Sequence, residues 1–180
     1  YDMYDMMEDA IAVLDHLAIE RAVWASLSMG GMVAMHAAVR HPDRVAALVL
    51  LDTHAGSESV AKKLKYRAMS IGARAFGVRP FFPAVLPLLF GQTTLSENEA
   101  LVDEWKTRFE AMHVPSLAVA VSALTRRPSI VRELGGVQCP CLVIVGAEDA
   151  SLPPPKSREI ANALPNASLN SSIGVNAWTR

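Results

Sequence analysis

Only two of the 180 residues are cysteines, and both fall in one tripeptide, Cys139-Pro140-Cys141. Residues two apart do not readily bridge each other, and no histidine stands nearby to complete a metal site. Neither a disulfide framework nor a metal centre is therefore expected, and no motif calls for a cofactor. Both thiols read as buried groups at the entry to a strand, which suits a reducing compartment and a cytoplasmic location. Long apolar runs are lacking as well. "VAALVLL" has the length of a strand and "RPFFPAVLPLLFG" is interrupted by prolines, so neither can span a bilayer. Charge of one sign is scarce too. Seventeen Lys and Arg stand against 18 Asp and Glu, a net charge of −1, which argues against nucleic acid or an anionic membrane as main partner. The one basic cluster, "KKLKYR", reads as the solvated face of a helix.

What is present is apolar residue in quantity. Hydrophobic residues make up 51% of the chain and mean hydropathy is +0.23, enough for one domain with a large core. Met6, Ala10, Ile11, Val13, Leu14 and Leu17 recur at helical spacing. "RAVWAS" reads as a short buried strand, followed by a helix over about Met29 to Val39 that stops near Pro42. "VAALVLLD" (Val45 to Asp52) and "CLVIVG" (Cys141 to Gly146) suit buried parallel strands. "PPPKSREIANALP" reads as a helix with prolines at its start, and "NASLNSSI" as a short last strand. Between Thr53 and about Leu134 the pattern is helical and broken by prolines, with no core strand. Strands alternating with helices predict an α/β fold, a parallel sheet flanked by helices.

"ASLSMGGM" lies where the first strand turns into the second helix. A sharp turn of this kind crowds the residues two before and two after a nucleophile, so both should be small. For Ser28 they are Ser26 and Gly30; for Ser26 they would be Trp24 and Ser28, and the indole would clash. Ser28 is the candidate nucleophile, with the Met29 N–H at the helix start as an oxyanion donor. An ordinary strand–helix turn that uses glycine fits the same eight residues. Gly31 would let the helix pack closely on the strands. Past the strand at Gly146 stand Glu148 and Asp149, at the sheet edge where open α/β folds bind ligands. A carboxylate there can orient a histidine, and Asp149 fits that role better than Asp52, the other acid at a strand end.

"SLSMGGMVAMHAAVRHPDRVAALVLLDT", followed far downstream by "CPCLVIVGAEDASLPPPKSREIANALP", resembles the α/β-hydrolase family, in particular its single-domain esterases, enol-lactonases and cofactor-free peroxidase-like members. The resemblance runs from about Met6 to Leu169 and rests on the small-x-Ser-x-Gly-Gly elbow and on Gly146, Asp149 and Pro153. It implies Ser28 as nucleophile and Asp149 as triad acid. It also implies a core over residues 1–53 and 134–180, a helical cap over 54–133, and a small-molecule ester or lactone as substrate. Phe76, Phe81, Phe82, Leu86, Leu88, Leu89, Phe90, Trp105 and Met112 would roof an apolar pocket or pack the cap onto the sheet.

Two parts of the family pattern are not in the sequence. The family has strands and a His-Gly loop ahead of the elbow, and a catalytic histidine after the last strand; here no histidine follows His113. The expectation is a partial α/β-hydrolase fold, an incomplete chain that is inactive alone. His54, after the second strand, and His113, in the cap, are the nearest stand-ins for the base. His16, His36 and His41 read as surface or packing residues. The alternatives are a non-catalytic relative with a binding or structural role, and acyl transfer or perhydrolysis at the same site.

Overall fold

The apolar runs form one parallel sheet in the computed structural model, which describes residues 1–172. Strands β1 (Ala22–Leu27), β2 (Val45–Leu51), β3 (Cys141–Gly146) and β4 (Ala167–Ser172) lie side by side in chain order. Parallel neighbours need crossovers, and helices supply them. Helix α1 (Met3–His16) precedes the sheet and α2 (Met29–Arg40) links β1 to β2. Between β2 and β3 come α3 (Val60–Phe76), α4 (Phe82–Leu89), α5 (Gln92–Glu97), α6 (Glu99–Glu110) and α7 (Val114–Arg126), with no strand among them. Helix α8 (Pro154–Ala163) links β3 to β4. Leu27 pairs with Leu51, Leu51 with Ile144 and Ile144 with Asn170, so the carboxyl ends of the strands share one edge.

The core sits on one face of this sheet. Leu48, Leu50 and Val143 are buried there against Ala34, Met35 and Ala38 of α2 and Ile160 of α8. Each Leu or Ile withdrawn from water in this way contributes roughly 1.5–3 kcal/mol. On the other face Val23 stays 60% exposed and Leu142 38%. The expectation that "RAVWAS" is a buried strand is therefore corrected. β1 is an edge strand in the described residues, and its side chains alternate between the helix-covered face and the open one. Cys141 is buried at the start of β3, as expected, and burial together with the neighbouring Cys139 pushes its thiol up to about 12.

Helix α1 begins earlier than its apolar spacing predicts. Asp2 Oδ1 accepts from the Tyr4 and Asp5 N–H groups at 2.8 and 3.2 Å, and Asp5 Oδ2 accepts from Asp2 N–H at 2.6 Å, a capping box of two aspartates. The buried stripe is accordingly Met3, Met7 and Ile11, while Val13 and Leu17 face solvent.

Candidate active site

Three segments reach the carboxyl edge of the sheet and meet at one cavity of about 220 Å³. Ser28 comes from the end of β1, Asp52 from the end of β2, and Asp149 from the loop after β3. Helices α3, α4 and α7 close it from above through Met69, Leu88, Leu89 and Leu117, among others, together with Phe81 from the turn before α4.

Ser28 sits in the turn between β1 and α2 at φ 51°, ψ −116°. This is a left-handed backbone that costs a non-glycine residue of order 1–3 kcal/mol, so its surroundings must hold it. Ser28 N–H donates to Leu51 O at 2.9 Å, and Ser28 O accepts from Thr53 Oγ1 at 2.6 Å and from Gly31 N–H at 3.0 Å. The hydroxyl makes no capping bond to α2, and Ser28 lines the cavity. Met29 is the first residue of α2, where an N–H has no intrahelical acceptor.

The small residues around the turn have distinct jobs. A Cβ on Gly30 would lie 3.8 Å from Ser26 Cβ, an ordinary contact, so the two positions flanking Ser28 do face each other closely. A Cβ on Gly31 would lie 2.7 Å from Thr53 Cβ and Oγ1, closer than atoms can approach. Gly31 is thus what lets α2 settle on the end of β2, as its place in the sequence predicts.

Asp149 is nine-tenths buried, and its Oδ1 accepts from the N–H groups of Ser151 and Leu152 at 2.8 and 2.9 Å. One oxygen is thereby fixed, and no hydrogen bond joins Oδ2 to a described residue. Among the described residues Asp149 and Ser28 share the cavity without bonding to each other. The neighbouring Glu148 turns away and binds Thr93, with Oε1 accepting from its hydroxyl at 2.9 Å.

Asp52 also lines the cavity, but in a different capacity. It is buried at φ 41°, and its Oδ1 accepts from Gly146 N–H at 2.8 Å while its own N–H donates to Ile144 O at 3.0 Å. It ties the ends of β2 and β3 together just beneath the Asp149 loop. Thr53 is the residue that sequence reasoning missed. It carries no motif, and only the approach of Gly31 shows why it matters.

None of the five histidines borders the cavity. His54 is buried behind it. Its Nδ1 lies 3.4 Å from an Arg127 NH2 group and its Nε2 lies 3.4 Å from Glu159 Oε2. Burial, then the charges of Lys156 and Arg127, hold its pKa below the ordinary 6.5. His113 is exposed at the start of α7, hydrogen-bonded through Nδ1 to Ser116 Oγ at 2.8 Å. His113 does not line the cavity; Leu117, Val121 and Leu124 are the residues of α7 that reach it. His36 packs in the core against the Tyr4 ring, and His41 pairs with Glu8 at 3.0 Å. The tail "IGVNAWTR", where the family's histidine would fall, lies outside the described residues.

The described residues contain no cluster suited to a metal ion, and no helix among them is long and apolar enough to cross a membrane. Over its whole length the chain is 29% identical to a 2-hydroxymuconate semialdehyde hydrolase of Pseudomonas putida and spans 64% of that protein. Its fold matches an esterase from Thermogutta terrifontis with a TM-score of 0.91 at 26% identity, covering 99% of this chain and 66% of that one. It matches an enol-lactonase from Burkholderia xenovorans with a TM-score of 0.90, also at 26% identity, covering 99% and 67%. These relatives are hydrolases, and the Ndr family model matches residues 2–160. The chain belongs to the Ndr family, within the α/β hydrolases.

Proposed function

We propose that the site is that of a serine hydrolase acting on a small-molecule ester or lactone, with residues 54–133 forming a cap over it. The observation that carries the reading is Ser28, held at φ 51° and ψ −116° between β1 and α2 and opening into the cavity that Asp149 also lines. In this reading Ser28 Oγ attacks the carbonyl carbon while its proton passes to an imidazole base. The negative charge that develops on the carbonyl oxygen is met by the Met29 N–H. The ester C–O bond then breaks, the leaving alcohol takes the proton, and water releases the acyl group by the same steps. Asp149, with Oδ1 anchored and Oδ2 unclaimed by the described residues, orients the imidazole.

The base is what the chain's own histidines do not supply, and this makes the reading testable. Free imidazole is the same base that this reading requires between Ser28 and Asp149. Hydrolysis of a short-chain nitrophenyl ester is expected to rise with imidazole concentration further in the chain than in its Ser28→Ala variant, which reports imidazole's own attack on the ester. Equal rates in the two proteins would overturn the proposal. They would favour the second reading, a non-catalytic binding relative, for which the lack of a histidine in the cavity's described lining speaks.

A further inference from the structure

Lys62 belongs to the basic cluster "KKLKYR", whose composition suggests a solvated helix face. The structure gives this lysine a different place. It stands in the first turn of α3, at the positive end of the helix dipole, and α3 has no acid there to offset it. Its Nζ donates instead to Ser151 O at 3.3 Å, in the loop that carries Asp149. That carbonyl and the Leu152 N–H belong to one planar peptide unit. The Leu152 N–H donates to Asp149 Oδ1 at 2.9 Å, and the Ser151 N–H donates to the same oxygen at 2.8 Å. A cation on the carbonyl end therefore fixes the peptide whose other end holds the carboxylate, and it polarises that N–H as a donor.

Lys62 is itself steered. Its Nζ lies 3.9 Å from Glu58 Oε2, and Glu58 Oε1 accepts from an Arg127 NH2 group at 3.0 Å. The Glu58 and Arg127 side chains are buried, at 8% and 1% exposure. Glu58 precedes α3 and Arg127 follows α7, so their ion pair joins the two ends of the helical run between β2 and β3. The line from Arg127 through Glu58 and Lys62 ends on the peptide that holds Asp149. A second anchor comes from the middle of the same run. Thr93 in α5 donates its hydroxyl to Glu148 Oε1 at 2.9 Å and its N–H to Glu148 Oε2 at 3.3 Å. Glu148 and Ser151 lie on either side of Asp149 in the chain, so the helical run grips the loop both before and after the carboxylate.

We infer that Lys62 and Thr93 are positioning residues for Asp149: the helices between β2 and β3 must be seated for the carboxylate to be held where it can orient an imidazole. The inference rests on the serine-hydrolase reading for what Asp149 orients, and on the hydrogen bonds alone for how it is held.

Lys62→Met keeps an unbranched apolar stem and removes the charge, whereas Lys62→Arg keeps a cationic donor. Two measurements on these variants separate the tether from the chemistry. The first is amide hydrogen exchange by NMR, which needs no turnover. Protection of the Ser151 and Leu152 amides is expected to fall roughly 3–10-fold in Lys62→Met, the loss of one hydrogen bond from a half-exposed donor, and to return in Lys62→Arg. The Val143 and Val145 amides of β3 should not change, which reports an intact sheet. Lys65→Met, at an exposed position of the same helix, should leave all four amides as they are. The second measurement is hydrolysis of the nitrophenyl ester over a range of imidazole concentrations. Lys62→Met should raise the half-saturating imidazole concentration by a similar factor, roughly 3–10-fold, and leave the limiting rate within about twofold. Thr93→Val should act in the same direction and more weakly, because the Thr93 N–H bond to Glu148 needs no hydroxyl. Unchanged Leu152 protection in Lys62→Met, or an arginine variant that behaves like the methionine one, would overturn the inference. So would a lower limiting rate with the half-saturating concentration unchanged. Equal hydrolysis by the chain and Ser28→Ala would remove the serine-hydrolase reading, and the exchange measurement would then decide by itself whether Lys62 holds the Asp149 loop.

Discussion

At the floor of the cavity, Ser28 and Asp52 hold positive φ angles of 51° and 41° and their backbones are bonded into the sheet. The roof is helical, and its side chains meet the cavity through mostly apolar surface, with Tyr66 and Ser70 among them. Strain at the floor is sustained by Leu51 O, Thr53 Oγ1 and the Gly146 N–H, three partners drawn from two neighbouring strands and the second residue after one of them. The roof holds its shape through helix packing, such as α3 against α7, with no bond into Ser28. A rigid floor suits chemistry that depends on sub-ångström placement, and a packed but adaptable roof suits selection of the substrate body.

The largest effect expected from this division is on turnover. A nucleophile and its base act as a unit, and losing one member costs on the order of a million-fold. Without added imidazole, the chain should therefore hydrolyse a short-chain nitrophenyl ester at close to the blank rate. Turnover well above blank that Ser28→Ala abolishes would mean that a base is already in place. His54→Gln and His113→Gln would then identify it, although both side chains would have to move to reach Ser28.

The same division explains what the sequence reveals. The floor follows from local sterics: small residues at Ser26 and Gly30 single out Ser28, and the apolar run Cys141–Gly146 is the third strand at its observed bounds. Asp149 is legible because it follows that strand. The roof is decided by how helices far apart in sequence pack, and helical spacing says that a face is apolar without saying what it meets. Of the nine apolar residues expected to roof or pack the cap, Phe81, Leu88 and Leu89 line the cavity. Phe76 is 77% exposed, while Phe82 and Phe90 are buried elsewhere. Tyr66 lies within the basic cluster that reads as a solvated helix face and Ser70 just after it, and Asp52 becomes a tie between strands only once Gly146 is beside it in space.

Next in size comes the elbow glycine. Gly31→Ala places a Cβ 2.7 Å from Thr53, where the obstacle is the branch point of a buried side chain and not a flexible tip. Overpacking of this kind destabilises by about 1–3 kcal/mol. Gly30→Ala meets only an ordinary contact and replaces the poorer helix former, so it should leave stability unchanged or raise it by up to about 1 kcal/mol. Urea midpoints for the two variants measure the contrast. Equal midpoints would mean that the close approach of α2 to Thr53 does not hold the elbow.

Acid should weaken the floor's support through its buried histidines. Burial, first among the causes, holds His36 and His54 below the ordinary 6.5. The unfolded chain binds protons near that pH while the folded chain resists them, so stability is complete above about 6.5 and falls as pH drops below it. The slope is at most about 1.4 kcal/mol per pH unit for each group, until the lowered folded value is reached. Thermal melts between pH 5 and 7.5, for the protein and for His36→Leu, should show the smaller slope in the variant.

The smallest effect belongs to the roof. Leu88 is half-buried in α4 and borders the cavity, so its side chain is packed by protein on only part of its surface. Truncating a leucine in a closed core costs about 2–5 kcal/mol, because the transfer term is joined by a newly made void. Leu88 is only half-buried at the cavity wall, so only part of the transfer term is lost. Leu88→Ala should therefore destabilise by less than about 1 kcal/mol, or no more than roughly 2–4 °C in melting temperature for a chain of this size. It should also enlarge the cavity that Leu88 lines. A loss of stability as large as that in a closed core would show that Leu88 supports the α4 packing itself, and the roof would then be as rigid as the floor.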